Sequence, residues 1–157
     1  MGSNPTPTAM KFEFSAGGVV SKKEGTKVLI LVAKHFGHHS WVFPKGLIGD
    51  HPSASSGQAE TKEEAALREV KEETGINAKI IKPLTPIEYW YNWEGQKIKK
   101  TVYYFIMEFI SGDTKDHDWE MEEVEWIPEA EVEKRLSYPS DKEVWSEAKK
   151  ELLTIDQ

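Results

Sequence analysis

Apolar and polar positions alternate in blocks along this chain, and each block predicts an element. Phe12 to Val20 has the short alternation of a strand. Val28-Leu29-Ile30-Leu31-Val32, within Lys27 to Ala33, is apolar without interruption, as a strand buried on both faces would be. A short strand at Ser40 to Phe43 ends at Pro44. From Lys62 to Thr74 the period becomes helical. Ala66, Leu67 and Val70 point one way and Glu69, Glu72 and Glu73, at i, i+3 and i+4, share another face. Thr61 with Glu64 makes a capping box, and Gly75 stands where a left-handed helix stop is wanted. Strands follow at Ala78 to Ile81, Ile87 to Trp93, Ile98 to Phe109 and Val124 to Ile127, with a turn at Glu94-Gly95-Gln96. Pro128 suits the first turn of a helix running through Ala130 to Leu136, and a last helix spans Asp141 to Leu153. Strands with one helix between them and helices at the end predict an α/β fold, an α/β/α sandwich.

Composition narrows the function classes. At 157 residues with 38% apolar side chains, the chain has material for one core and one domain, taken as 11–155 after a lead-in at 1–10. A net charge of −7 speaks against general nucleic-acid or anionic-membrane binding, because phosphate backbones need basic patches. The absence of cysteine excludes disulfides and thiol catalysis and fits a cytoplasmic setting. No stretch reaches the apolar length of a membrane span. An acidic protein can still bind the phosphates of a small-molecule nucleotide partner where metals bridge the two.

The acidic helix face carries the candidate chemistry. Taken alone, a Glu-rich helix reads as a solvated surface. Two carboxylates 4 Å apart, however, repel by on the order of 4 kcal/mol at an effective dielectric of 20. A hard divalent cation removes that repulsion, and oxygen ligands suit magnesium, with manganese an acceptable alternative. The surroundings favour a site. Glu60 lies eight residues before Arg68, and a Phe43-Pro44-Lys45-Gly46 loop precedes both. Further upstream, Ala16-Gly17-Gly18 lets backbone approach backbone.

Glu60, seven residues, then Arg68-Glu69-Val70-Lys71-Glu72-Glu73-Thr74-Gly75-Ile76 resembles the second half of the Nudix hydrolase signature. The first half departs from it. Between Gly46 and Glu60 stand thirteen residues where the family has five, an insertion within about 49–59 whose Gly, Pro and Ser content predicts a surface loop. The resemblance covers about Lys11 to Leu153 and implies the family's sandwich with a central mixed β-sheet. It further implies metal ligation by Glu69, Glu72, Glu73 and a loop carbonyl at Lys45 or Gly46. Glu69 would serve as base or place it, and Arg68 would pin the helix through Glu60. An extra acidic residue used by some members best matches Glu120, with Glu122 and Glu123 as alternatives. The reaction implied is hydrolysis of a pyrophosphate bond in a nucleoside diphosphate-linked compound.

Substrate contacts are read from Ile87 to Phe105, a segment both aromatic and basic. With Leu136-Ser137-Tyr138 and Asp141-Lys142-Glu143, it looks like the bacterial diadenosine tetraphosphate hydrolase branch. Tyr89, Tyr91, Lys99, Tyr103, Lys45 and His39 are the substrate-binding candidates. Alternation puts Tyr89, Tyr91 and Trp93 on one face and Trp90 on the other, and lets only one of Lys99 and Lys100 face a cleft. His38 and His39 read as turn residues able to contact phosphate, and His51 and His117 as surface residues. Oxidised nucleoside triphosphates, ADP-ribose and diphosphoinositol polyphosphates stay open as substrates, as does a module that binds a nucleotide or RNA end without cleaving it. The inserted segment is a further candidate for protein contacts or for covering the cleft.

Overall fold

The computed structural model describes residues 10–49 and 58–155. Residues 1–9 of the lead-in expected at 1–10, most of the insertion and His51 lie outside the described residues. The elements run β1 (Lys11–Glu24), β2 (Lys27–His35), β3 (Trp41–Val42), β4 (Lys45–Leu47), α1 (Lys62–Thr74), β5 (Ile76–Pro83), β6 (Ile87–Trp93), β7 (Gln96–Gly112), β8 (Met121–Pro128), α2 (Val132–Arg135) and α3 (Pro139–Ile155).

The strands form one mixed sheet in which β3-β2-β1-β7-β5 is the spine. β1 and β7 pair in parallel from Lys11↔Ile98 to Ser21↔Glu108, while the other pairings are antiparallel. Each of these two long strands divides its outer edge. The first part of β1 pairs with β4 and its end with β2, and the first part of β7 pairs with β6 and its end with β5. The opening in the sheet falls where β4 leaves β1. There Gly18 N–H donates to the Pro44 carbonyl at 3.1 Å. A Cβ on Gly17 would stand 2.1 Å from that same carbonyl oxygen, so only glycine permits the approach.

Alternation along β7 sorts the two cores. Val102, Tyr104 and Ile106 join Val144, Trp145 and Ala148 of α3, whereas Phe105 and Met107 join Ala65, Ala66 and Val70 of α1. The helices therefore cover opposite faces of the sheet, the expected α/β/α sandwich. Val70 is fully buried, a contribution of about 1.5–3 kcal/mol for such a side chain.

Several boundaries differ from the sequence expectations. The helix expected over Ala130 to Leu136 is a 3-10 turn at Glu129–Glu131 followed by the single α-turn of α2. Its first residues have no side-chain cap, and Leu136 leaves in an extended conformation. β4 was not expected, since three residues after a proline carry no periodicity. β1 runs on to Glu24 because Ser21 to Glu24 turn back into β2 as a hairpin. β5 begins directly at Ile76, and α3 starts two residues earlier than expected, at Pro139. Among the described residues, no helix is long and apolar enough to cross a membrane.

Candidate active site

Helix α1 holds the acidic residues in place from both ends. Thr61 Oγ1 accepts from Glu64 N–H at 3.1 Å, and the Glu64 carboxylate accepts from Thr61 N–H at 3.2 Å, closing the capping box. Gly75, at φ 79°, ends the helix and donates its N–H to the Lys71 carbonyl. With Ala65, Ala66 and Val70 against the sheet, Glu69 and Glu73 are carried inward and keep only 8% and 4% exposure. Glu72, one step round the helix, remains partly exposed.

Arg68 organises this face. Its Nε donates to Glu60 at 2.7 Å and its Nη2 to the other Glu60 oxygen at 2.9 Å, a bidentate pair. Nη1 reaches Glu69 at 2.7 Å and Glu72 at 3.1 Å, and Nη2 also reaches the Leu47 carbonyl. Hydrogen bonding to Glu60 raises the guanidinium pKa, so its charge is permanent.

Glu73 accepts from the Lys45 backbone N–H at 3.3 Å. Burial, then the nearby Glu69 charge, pushes its pKa well above the carboxylate range. Burial likewise raises Glu69, opposed by Arg68 and reinforced by Glu72 and Glu120. Gly46 lies so close that a Cβ there would stand 2.1 Å from the Glu69 carboxyl carbon. Glu120 arrives from a distant stretch of chain. Asp118 N–H donates to the Glu72 carbonyl at the end of α1, and the Glu120 carbonyl accepts from Phe36 N–H, both at 2.9 Å. Its charge acts on Glu69, Glu73 and His35. Glu122 is taken up elsewhere, by Lys34 at 3.4 Å and His39 at 3.1 Å. Glu123 sits opposite Lys34 in the β2–β8 ladder.

Beside these acids opens a cavity of about 630 Å³, bordered by Lys45, Glu73, Tyr89, Tyr104, Tyr138, Asp141, His35 and His38 among others. Lys45 and Tyr89 are the substrate candidates it contains. Four other candidates lie off it. Tyr91 gives its hydroxyl to Glu13, and burial with that bond pushes its pKa up to about 12. Lys99 pairs with Glu88 at 3.6 Å on the Trp90 side. Tyr103 faces α1, with the Lys62 ammonium 4.8 Å from its ring centre. His39 faces Glu122, and its neighbour His38 borders the cavity instead.

Strand register explains the choice between the two lysines. Tyr89 stands opposite Lys100, and Trp90 opposite Lys99. Lys100 thus shares the Tyr89 face, and burial followed by the Lys45 charge lowers its pKa. Tyr104 and its partner Asp141 were not singled out as site residues by sequence reasoning. Tyr104 sits in an apolar run that reads as core, and Asp141 opens a helix where an acidic residue is ordinary.

A divalent cation fits this donor set. The face offers only oxygen donors, and burial makes the charged forms of Glu69 and Glu73 costly, with neighbouring carboxylates adding to that cost, Arg68 opposing it at Glu69 and Lys45 opposing it at Glu73. Among the described residues no three acidic or imidazole groups already converge in ligating geometry, because Arg68 draws Glu69 and Glu72 toward itself.

Residues 11–148 match the NUDIX domain. The chain belongs to the NUDIX family, that of the Nudix hydrolases. NUDIX proteins typically use a divalent metal, in keeping with the acidic face. The NUDIX chain is similar to the mutator protein MutT4 of Mycobacterium tuberculosis, with 35% identity over 136 residues, covering 83% of this chain and 52% of that protein. It is also similar to the RNA pyrophosphohydrolase of Shigella boydii, with 29% identity over 118 residues, covering 66% of this chain and 58% of the other. The chain spans about half the length of the curated relatives it matches. In fold it is similar to the Ap4A hydrolase of C. elegans in a binary complex, with a TM-score of 0.69 at 22% identity, covering 90% of this chain and 98% of that one.

Proposed function

We propose that this NUDIX domain hydrolyses a pyrophosphate bond in a nucleoside diphosphate-linked substrate, with diadenosine polyphosphates as the leading compounds. The observation that carries this reading is the junction of an acidic face, from Glu69, Glu72, Glu73 and Glu120, with an aromatic-walled cavity that contains Lys45. Neither half alone specifies the chemistry. Together they offer a place for phosphates and, directly beside it, a place for a nucleoside.

Glu69, Glu72, Glu73 and the carbonyl at Gly46 would hold magnesium, or manganese in its place. The metal supplies neutralisation of phosphate charge and a more acidic water. The protein's own groups do the rest. The Lys45 ammonium binds a phosphate oxygen and keeps the anionic chain beside α1. Glu69, whose pKa is raised, suits proton uptake from the attacking water, and Glu120 is the second acid placed to do so. Arg68 positions Glu69 and stays outside the bond changes. The water oxygen bonds to phosphorus, the bridging P–O bond breaks, and diadenosine tetraphosphate yields ATP and AMP.

The decisive experiment measures magnesium-dependent release of ATP and AMP from diadenosine tetraphosphate, with Glu73→Gln as control. Turnover that collapses in the variant supports the reading. Turnover only on other nucleoside diphosphate compounds keeps the chemistry and replaces the substrate. No turnover on a broad panel, with metal bound and the fold intact, would leave a nucleotide- or RNA-end-binding module.

A further inference from the structure

We propose that Trp119, with Phe36 beside it, is a stacking platform for the second nucleoside of a dinucleoside polyphosphate, outside the cavity and on the far side of the acidic face; the proposal rests on the hydrolytic reading above. Trp119 is 80% exposed and Phe36 59%, although both are large apolar rings. Apolar rings scattered singly over a surface carry no meaning, but these two are built into the rim of the site. Asp118 N–H donates to the Glu72 carbonyl and Phe36 N–H to the Glu120 carbonyl, both at 2.9 Å. Glu120 N–H donates to Asp118 Oδ1 at 3.1 Å, which closes a turn around Trp119. The ring is therefore carried on backbone tied to α1 on one side and to the chain after β2 on the other. It stands one residue from the acid whose charge acts on Glu69 and Glu73.

Strand alternation says which side these rings serve. His35 and Met121 are opposite each other in the β2–β8 ladder, and both border the cavity. Phe36 and Glu120 are the next step along that ladder, so they turn to the other side, that of α1. Neither Phe36 nor Trp119 is among the described residues that border the cavity. The cavity takes one nucleoside, Lys45 at its border begins the phosphate path, and Glu73 and Glu69 continue it. A compound with a nucleoside at each end must then bring its second base out past Glu120. Every base has an apolar face, and an indole already held in place offers it a partner at little ordering cost.

Adenosine tetraphosphate keeps one nucleoside and the phosphates and lacks the second nucleoside, so it isolates the contact. We expect Trp119→Ala to lower kcat/KM for diadenosine tetraphosphate by about tenfold, the scale of one base on an aromatic ring, and for adenosine tetraphosphate by less than about twofold. Trp119→Phe restores most of the loss, because a phenyl ring still stacks. Equal losses on the two compounds show that Trp119 only shapes the Glu120 turn and overturn the proposal, as does no loss on either. A changed oligomeric state of Trp119→Ala in light scattering, with equal losses, gives the ring to a second copy of the chain and overturns it as well. If neither compound is cleaved, the hydrolytic reading fails alone. Calorimetric titration of the parent and Trp119→Ala with the two compounds then decides. Weaker affinity of the variant for the dinucleotide only supports the platform, and any other outcome overturns it.

Discussion

Arg68 and Glu60 face each other as a two-point pair, Nε to Oε2 at 2.7 Å and Nη2 to Oε1 at 2.9 Å, across eight residues of chain. Glu60 is 7% exposed and also accepts from Gly49 N–H at 3.3 Å, so it ties the loop after β4 to α1. The same guanidinium restrains Glu69 and Glu72. The pair is thus the clamp between the β4 loop and the acidic face of α1.

Breaking the clamp from one side should be costly. Glu60→Gln takes from Arg68 its two-point charge partner while leaving Glu69 and Glu72, for which about 2 kcal/mol of destabilisation is expected, the scale of a hydrogen bond to a charged group. Chemical denaturation of both proteins measures it. A loss below about 1 kcal/mol would mean the pair behaves as a surface ion pair.

Glu73 should oppose folding when no metal is bound. Its pKa in the fold is raised, so ionisation at neutral pH destabilises the native state, and that penalty disappears as pH falls through the raised value toward the ordinary carboxylate value. Glu73→Gln is therefore expected to melt higher than the parent at neutral pH without metal, with the difference shrinking on acidification. Added magnesium should raise the parent's melting temperature more than the variant's. Melting curves across pH, with and without magnesium, test both statements. Equal melting temperatures throughout would contradict them.

Gly46→Ala places a methyl where the Glu69 carboxylate now lies. The carboxylate ends a flexible side chain, so the fold should survive while the acid is displaced. Activity is expected to fall by at least about tenfold, as displacement of a catalytic group by around 1 Å costs up to about 100-fold. Full activity in the variant would separate Gly46 from the acidic site.

Glu120 and Glu122 should part company. Glu120→Gln removes a charge that acts on Glu69 and Glu73, whereas Glu122→Gln removes a partner of Lys34 and His39. We expect kcat to drop by about 100-fold in the first, the scale of general acid–base assistance, and by less than twofold in the second. The opposite order in steady-state kinetics would reassign the downstream acid.

What was legible in the sequence was whatever repeats over a few residues. The i, i+3, i+4 spacing put Glu69, Glu72 and Glu73 on one side of α1 because helical period is local, and the Thr61–Glu64 box and Gly75 stop mark its ends for the same reason. Strand alternation likewise separated Tyr89 from Trp90. What alternation left open was register: Lys99 and Lys100 are equivalent until pairing with β6 sets Lys100 opposite Tyr89. Tyr91 and Tyr103 illustrate the same gap. Each is an aromatic in a suggestive strand, and each is turned to another partner, Glu13 and Lys62.

The sequence by itself therefore determined the sandwich of strands and helices, the acidic helix face and the family, because these rest on local period and on a contiguous motif. Only the tertiary structure decided which distant groups meet: Glu120 with α1, Lys45 with Glu73, and Tyr104 with Asp141 at the wall of one cavity. The physical reason is that these meetings depend on the parallel β1–β7 pairing and on helices packing from opposite faces. Contacts of that kind join residues dozens of positions apart and leave no trace in any short stretch of chain.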